Sequence, residues 1–212
     1  MQRNIYNIIQ SRTGLEKIVH LFNKIHSFIF TFFFSKSFRT FGKGSRIVSP
    51  IRFANLHRIS IGENVFIAQD CWIHVIDEHN DSMEPEINIG NFTGIGMNST
   101  LTAACKIILE DHVLLARNVF ISDHSHRYQD ISLPIMLQGY DHIAPVTIGA
   151  GSWLGQNTVV LPGANIGKHC IIGANSVVTR PIPDYSVAAG SPARVIKKYD
   201  SDSGKWIRVL NR

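Results

Sequence analysis

The chain has 212 residues, a formal net charge of +5 and a hydrophobic fraction of 44%, which indicates one soluble domain with an appendage. Its three cysteines are too few for a disulfide framework, and free thiols suit a reducing cytoplasm. The basic excess belongs to residues 1–60, which hold ten Lys or Arg and one acid. This segment is Phe-rich and lacks a recognised nucleic-acid motif, so we expect no nucleic-acid partner.

Residues 15–34 predict a helix with one polar stripe. The stripe consists of Lys17, His20, Lys24, Ser27 and Thr31, and the remaining positions are mostly Ile, Leu, Val and Phe. The charges disfavour a membrane span and a secretory signal. We expect a cytoplasmic protein that attaches to the inner face of a membrane through residues 1–44. A helix packed on the rest of the fold, or in a subunit interface, is the open alternative.

An aliphatic residue recurs at every sixth position in the C-terminal half of the chain. The run is Ile148, Leu154, Val160, Ile166, Ile172 and Val178. Three shifted blocks repeat it upstream: Ile61, Ile67 and Ile73; Ile89, Ile95 and Leu101; Leu109, Leu115 and Ile121. Small residues often stand one and four positions later. A period of six fits neither the helical period of 3.6 nor the strand period of 2.0. It predicts an all-β solenoid in which each side of a coil is one short strand.

The repeat also sets the expected domain organisation. We expect a basic helical segment at 1–44, a solenoid at 45–197 with loops at 76–88 and 127–145, and a tail at 198–212. The tail should form a short helix or a cap on the last coil. Cys71, Cys105 and Cys170 each fall four places after an aliphatic position, where they should fill space inside the coil.

The motif FISDHSH at residues 120–126 lies at the mouth of the second loop. Histidine is the default general base near neutral pH, so His124, with Asp123 beside it, is a candidate catalytic residue. A histidine beside a loop can equally be structural, and the sequence alone leaves both readings open.

Together with this motif, IGAGSWLGQNTVVLPG at 148–163, IGANSVVTR at 172–180 and AAGSPAR at 188–194 carry a family resemblance. Over roughly residues 45–200 the chain resembles the hexapeptide-repeat acyltransferases, in particular sugar O-acetyltransferases of the galactoside, maltose and polysaccharide type. The resemblance implies a left-handed parallel β-helix and a homotrimer with active sites between subunits. It further implies that His124 is the base, and that acetyl passes from acetyl-CoA to a sugar hydroxyl of a surface polysaccharide or its precursor.

The resemblance also assigns donor and acceptor contacts. Positions that match coenzyme A contacts are Gln156, Ala174, Thr179, Arg180, Arg194 and Lys197. Basic side chains among them suit phosphate groups, although they could also be solvated surface charges. Trp153 is expected to wall the thioester site or to cover an apolar corner. His126, Asn98 and Asp77, with its neighbour Glu78, are candidate acceptor contacts.

Two other functions remain open at this stage. A metalloenzyme of the gamma carbonic anhydrase kind would need three histidines on zinc, and His124 and His126 have no clear third partner. We therefore expect no metal. A non-catalytic binding solenoid is the second alternative, and it would bind no acyl-CoA.

Overall fold

The computed structural model describes residues 13–49, 51–76 and 84–209, and it consists of one helix followed by a three-sided β-solenoid. Helix α1 is Gly14–Ser35. Sheet A contains β1 Thr40–Phe41, β4 Ile59–Ile61, β7 Glu86–Ile89, β10 Lys106–Leu109 and β15 Val146–Ile148. Sheet B contains β2 Arg46–Ile47, β5 Phe66–Ile67, β8 Gly94–Ile95, β11 Leu114–Leu115, β16 Trp153–Leu154, β18 Ile171–Ile172, β20 Ser186–Gly190, β21 Ala193–Asp200 and β22 Lys205–Arg208. Sheet C contains β3 Arg52–Ala54, β6 Trp72–Val75, β9 Thr100–Ala103, β12 Phe120–Ser122, β17 Val159–Val160 and β19 Val177–Val178.

The loop after β12 adds a short hairpin of β13 Ser125–His126 and β14 Tyr140–Asp141, which pair antiparallel. Two 3-10 turns, Leu56–Arg58 and Ile135–Leu137, complete the described elements.

The aliphatic hexad positions form the core of the solenoid, as predicted. Successive coils stack in register, so that Leu115 lies beside Leu154 and Ile121 beside Val160. Every hexad aliphatic named above is buried. The small residues four positions after each aliphatic residue of the C-terminal run are buried as well, and Ser152 shows why a hydroxyl is tolerated there. Its Oγ donates to Gly167 O at 2.8 Å and accepts from Cys170 N at 2.9 Å, which satisfies polar groups inside the coil.

The corners between sheets B and C are formed by residues in the left-handed region. Asn118, Asn157 and Asn175 have φ of 58°, 60° and 57°, a conformation that asparagine tolerates better than most residues. Their amides form a ladder, in which Asn118 Nδ2 donates to Asn157 Oδ1 and Asn157 Nδ2 donates to Asn175 Oδ1, both at 2.8 Å. Asn98, with φ of 60°, occupies the same kind of corner one coil earlier.

The solenoid begins one coil earlier than the repeat analysis predicts. β1 pairs with β4 and β2 pairs with β5, so the expected boundary at residue 45 falls inside the first coil. Phe41, Ile47 and Phe53 have the six-residue spacing, and Ile47 is buried while the two phenylalanines pack against the core. Phenylalanine at two of the three positions hid this coil from a search for aliphatic residues.

The C-terminal segment continues sheet B. β21 runs antiparallel to β20 and β22 runs antiparallel to β21, so one strand crosses the expected boundary at residue 197. The described part of the tail is therefore a strand hairpin beside the last coil and not a short helix.

All three cysteines are free and buried inside the coils, as predicted. Burial raises the pKa of Cys71 to about 11, because a thiolate loses its hydration there. Desolvation raises the pKa of Cys105 and Cys170 as well. These thiols are packing residues.

Candidate active site

A cavity of about 680 Å³ lies between the outer face of sheet C and the loop that follows β12. The strands contribute Trp72, His74, Thr100, Thr102, Phe120 and Ser122, and the loop contributes His124, Ser125, His126, Tyr140 and His142. The remaining lining residues are Ile76, Ala144, Leu161, Pro162 and Thr179. Apolar, aromatic and hydroxyl side chains around a concave surface are typical of a small-molecule site.

The pocket forms because the chain leaves the solenoid directly after β12. His124 and Ser125 turn outward at this point, and β13 then pairs with β14 on the return of the loop. The backbone closes where Ala144 N donates to Asp123 O at 2.8 Å. This closure fixes the start and the end of the loop next to each other, so that His124 is held at the pocket wall.

His124 is oriented by the carboxylate of the preceding residue. His124 Nδ1 lies 2.9 Å from Asp123 Oδ1, and the two side chains are 7% and 0% exposed. A carboxylate accepts hydrogen bonds, so Nδ1 carries the proton and donates it to Asp123. In neutral His124 this leaves the lone pair on Nε2, which is the tautomer that a general base needs.

Asp123 is itself held by a cradle of backbone donors at the turn between β9 and β10. Its Oδ1 accepts from Ala104 N at 2.8 Å, and its Oδ2 accepts from Cys105 N at 2.8 Å and Lys106 N at 2.6 Å. Three amide donors satisfy a carboxylate that is removed from water, since hydrogen bonds to a charged acceptor are the strong ones. The cradle and His124 together use both oxygens of Asp123.

Besides the hydrogen bond to Asp123, an aromatic contact with Tyr140 holds the imidazole ring of His124. The ring of Tyr140 meets His124 edge to face, with centroids 4.8 Å apart, and it lies 5.1 Å from the ring of His126. Ser122 Oγ donates to His124 O at 2.7 Å. His126 is more exposed than His124 and has no carboxylate contact in the described residues. Sequence reasoning missed Tyr140 because a single tyrosine in a long loop carries no spacing signal.

The predicted acceptor residues lie in different places. His126 lines the pocket. Asn98 is an exposed corner residue and is not among the residues that line it; a contact with the acceptor stays a prediction. Asp77 and Glu78 lie outside the described residues. Thr100, two residues after Asn98, does line the pocket on the strand face.

The predicted donor residues are all exposed and follow the edge of the solenoid. Thr179 reaches the pocket of His124. Gln156 and Ala174 stand on successive corners between sheets B and C, and Trp153 lies on the outer side of β16. Arg194 and Lys197 are on β21, next to Ala189 and Val187 of β20, while Arg180 directly follows Thr179. Of the predicted donor residues, Thr179 alone is among the residues that line the pocket.

Glycine allows close stacking along this edge. A Cβ on Gly155 would lie 2.7 Å from Ala174 N, closer than a side chain tolerates. As for metals, no group of three or more His, Cys, Asp or Glu arranged to hold an ion is found within residues 13–49, 51–76 and 84–209.

The chain is similar to known transferases in both sequence and fold. Residues 145–180 match the family model described as bacterial transferase hexapeptide (six repeats). The chain is 31% identical over 176 residues to WbbJ of Escherichia coli K12, named as an O-acetyl transferase of lipopolysaccharide biosynthesis, and the match covers 79% of this chain and 86% of WbbJ. The maltose O-acetyltransferase from Clostridium difficile 630 superposes with a TM-score of 0.53 at 32% identity, covering 78% of this chain and 72% of that one.

The chain belongs to the hexapeptide-repeat acyltransferase family, and its fold is the left-handed parallel β-helix of that family. AntD, an N-acyltransferase from Bacillus cereus, has a TM-score of 0.67 at 20% identity, covering 80% of this chain and 87% of AntD, a likeness that concerns the fold alone. The chain spans 42% and 56% of the length of two further relatives, named as acetyltransferases of Mycobacterium tuberculosis and Saccharomyces cerevisiae.

Proposed function

We propose that this protein is an O-acetyltransferase that moves an acetyl group from acetyl-CoA to a sugar hydroxyl of a surface polysaccharide or its precursor. The observation that carries the proposal is the His124–Asp123 pair at the wall of a cavity large enough for a sugar ring. The relatives named as O-acetyltransferases support the transfer of an acetyl group to a hydroxyl.

The reaction needs one base and no covalent intermediate. His124 Nε2 accepts the proton of the acceptor hydroxyl while its oxygen attacks the thioester carbonyl carbon of acetyl-CoA. The C–S bond then breaks, and the proton passes from the imidazolium to the leaving sulfur, which gives coenzyme A and the sugar ester. Asp123 stabilises the imidazolium through Nδ1 and remains a carboxylate. Buried thiols such as Cys71 have no part in this sequence.

Among the residues that the structure describes, the lining of the pocket favours a hydroxyl over an amine as acceptor. An amino sugar is a cation at neutral pH, and its capture is favoured by a nearby carboxylate. None of the described residues that line the pocket is Asp or Glu, and the carboxylate of Asp123 is fully buried behind its backbone donors. The histidines, threonines and Ser122 suit the neutral hydroxyls of a sugar, and the exposed face of Trp72 suits its apolar side.

The assembly and location belong to the same proposal. We propose a homotrimer in which a neighbouring subunit completes the donor groove, with Arg180, Arg194 and Lys197 on the phosphates and Trp153 beside the thioester. Gln156, Ala174 and Thr179 line this groove, and Asn98 and His126 contact the acceptor. The protein would act in the cytoplasm, at the inner face of a membrane to which residues 1–44 attach it.

Release of coenzyme A, measured by chromatography with a panel of soluble glycans, tests this function. His124→Ala should abolish the acceptor-dependent release at every acceptor concentration. His126→Ala removes only an acceptor contact in the same pocket, so it should raise the KM for the glycan and retain most of the release at saturating glycan. Light scattering on both variants confirms that the particle is assembled. Loss of activity only in His126→Ala would reject the assignment of the base. Wild-type protein that binds no acetyl-CoA would favour a non-catalytic binding solenoid.

A further inference from the structure

Helix α1 packs on the solenoid with its polar side. Ser27 and Thr31 are its two buried residues, and Ser27 Oγ donates to Ile47 O at 2.6 Å. Thr31 Oγ1 donates to the same oxygen at 3.2 Å and accepts from Ile47 N at 3.0 Å. These hydroxyls satisfy the backbone of β2, which is the first strand of sheet B. Two members of the polar stripe, Ser27 and Thr31, therefore hold α1 on the first coil, whereas Lys17, His20 and Lys24 are exposed.

The opposite side of α1 is apolar and is exposed within the described part of the chain. Eleven large apolar side chains between Leu15 and Phe34 are exposed, out of 22 helical residues. At the helical angle of 100° per residue, ten of the eleven lie within about half of the helix circumference, on the side away from the polar stripe. This is much wider than the seam of two packed helices, which uses about two positions in seven. By length and composition α1 is also long and apolar enough to cross a membrane.

We propose that α1 is an in-plane anchor that inserts its apolar face into the surface of an anionic lipid bilayer. The proposal deepens the membrane location stated above and is independent of the acyl-transfer chemistry. The charge around the helix fits this partner. Apart from Arg39, which pairs with Glu86, residues 13–49 hold Lys17, Lys24, Lys36, Lys43 and Arg46 against the single acid Glu16. Basic side chains beside an apolar helical face bind anionic headgroups while the face enters the acyl boundary.

The contacts between α1 and β2 favour a helix that lies on the membrane over one that crosses it. Ser27 is near the middle of the helix, which is about 33 Å long at 1.5 Å per residue. If α1 spanned the bilayer, Ile47 and its charged neighbour Arg46 would be drawn to the centre of the hydrocarbon. A helix that lies in the interface keeps the first coil in water and needs no change in these hydrogen bonds.

Sedimentation of the full-length protein with lipid vesicles tests the anchor. Binding should be at least about tenfold tighter to vesicles of phosphatidylcholine and phosphatidylglycerol in equal parts than to phosphatidylcholine alone. Ile25→Gln combined with Ile29→Gln should weaken binding to the anionic vesicles by at least about tenfold. The matched control is Ile196→Gln combined with Ile207→Gln on the C-terminal hairpin. Its residues are 38% and 51% exposed, against 50% and 49% for Ile25 and Ile29, and it should bind like wild type.

The other outcomes separate the alternatives. Bound protein should be released by alkaline carbonate; retention would show a span and reject the in-plane arrangement. If neither vesicle binds and the Ile25/Ile29 variant instead changes the particle mass in light scattering, the face is covered by a second copy and the proposal is wrong. Coenzyme A release with a soluble glycan is measured on the same variants, because it should stay unchanged and thus distinguishes failure of the anchor from failure of the enzyme.

Discussion

Replacing Asp123 by Asn tests the orientation of the base, because an amide has only one oxygen to serve four donors. With the amide oxygen at the Oδ2 position, it keeps the bonds from Cys105 N and Lys106 N, and the NH2 group faces Ala104 N and His124 Nδ1. The NH2 group then donates to Nδ1, which forces the proton of His124 onto Nε2. In this orientation His124 is no longer a base.

The opposite orientation is the competent one, but it is less stable. With the oxygen at Oδ1, the amide keeps Ala104 N and His124 and leaves two N–H groups, of Cys105 and Lys106, without an acceptor. It therefore has one more unsatisfied buried N–H than the first orientation, which costs about 1–3 kcal/mol. This difference leaves about one molecule in 5 to 150 with the correct tautomer, and loss of the negative charge reduces the rate further.

Steady-state coenzyme A release on the best glycan of the panel measures the effect. Asp123→Asn should lower kcat by at least about 5- to 150-fold and leave the KM for acetyl-CoA unchanged, since the residue positions His124 and does not touch the donor. Thermal unfolding should show a loss of about 1–3 kcal/mol from the amide of Ala104. The control is Asp184→Asn, where a single bond from Lys168 N at 2.8 Å survives the substitution. A folded Asp123→Asn protein with more than half of the wild-type kcat would refute this reasoning.

Two further predictions concern packing. Burial raises the pKa of Cys71 to about 11, so its thiol stays protonated at pH 8. Iodoacetamide should therefore label native protein at least about 100-fold more slowly than denatured protein. Equal labelling rates would show that the coil is open. Gly155→Ala should lose about 1–3 kcal/mol of stability, because the new Cβ would lie 2.7 Å from Ala174 N. The control is Gly14→Ala, where nothing lies within 4 Å of the new Cβ, and it should change stability by no more than about 1 kcal/mol. Similar melting temperatures for the two variants would contradict the close stacking.

The core of this fold was predictable because the residues that repeat at every sixth position are the ones that are buried. Ile121 and Val160 were assigned inward from spacing alone, and both are fully buried beside each other. The same reasoning missed the first coil, since Phe41 and Phe53 replace the aliphatic residues that define the pattern. It also left the orientation of α1 open, because spacing shows that a polar stripe exists and not which partner the stripe meets.

In the site, only contacts between residues that are neighbours in the sequence could be predicted. His124 and Asp123 stand together in one motif, so their proximity could be anticipated. The contacts of Asp123 with Ala104, Cys105 and Lys106 could not be anticipated. They are made by backbone N–H groups of the preceding coil, which stacking places beside Asp123. Tyr140 reaches His124 through the pairing of β13 with β14, which depends on how the loop folds back.

The position of the acceptor oxygen relative to His124 is the most direct test of the central claim. A crystal structure of the protein with coenzyme A and a glycan acceptor should place one sugar hydroxyl about 2.6–3.2 Å from His124 Nε2, with the coenzyme A sulfur on the same side of the pocket. A hydroxyl that instead lies against His126, with His124 Nε2 bonded elsewhere in the protein, would contradict the account.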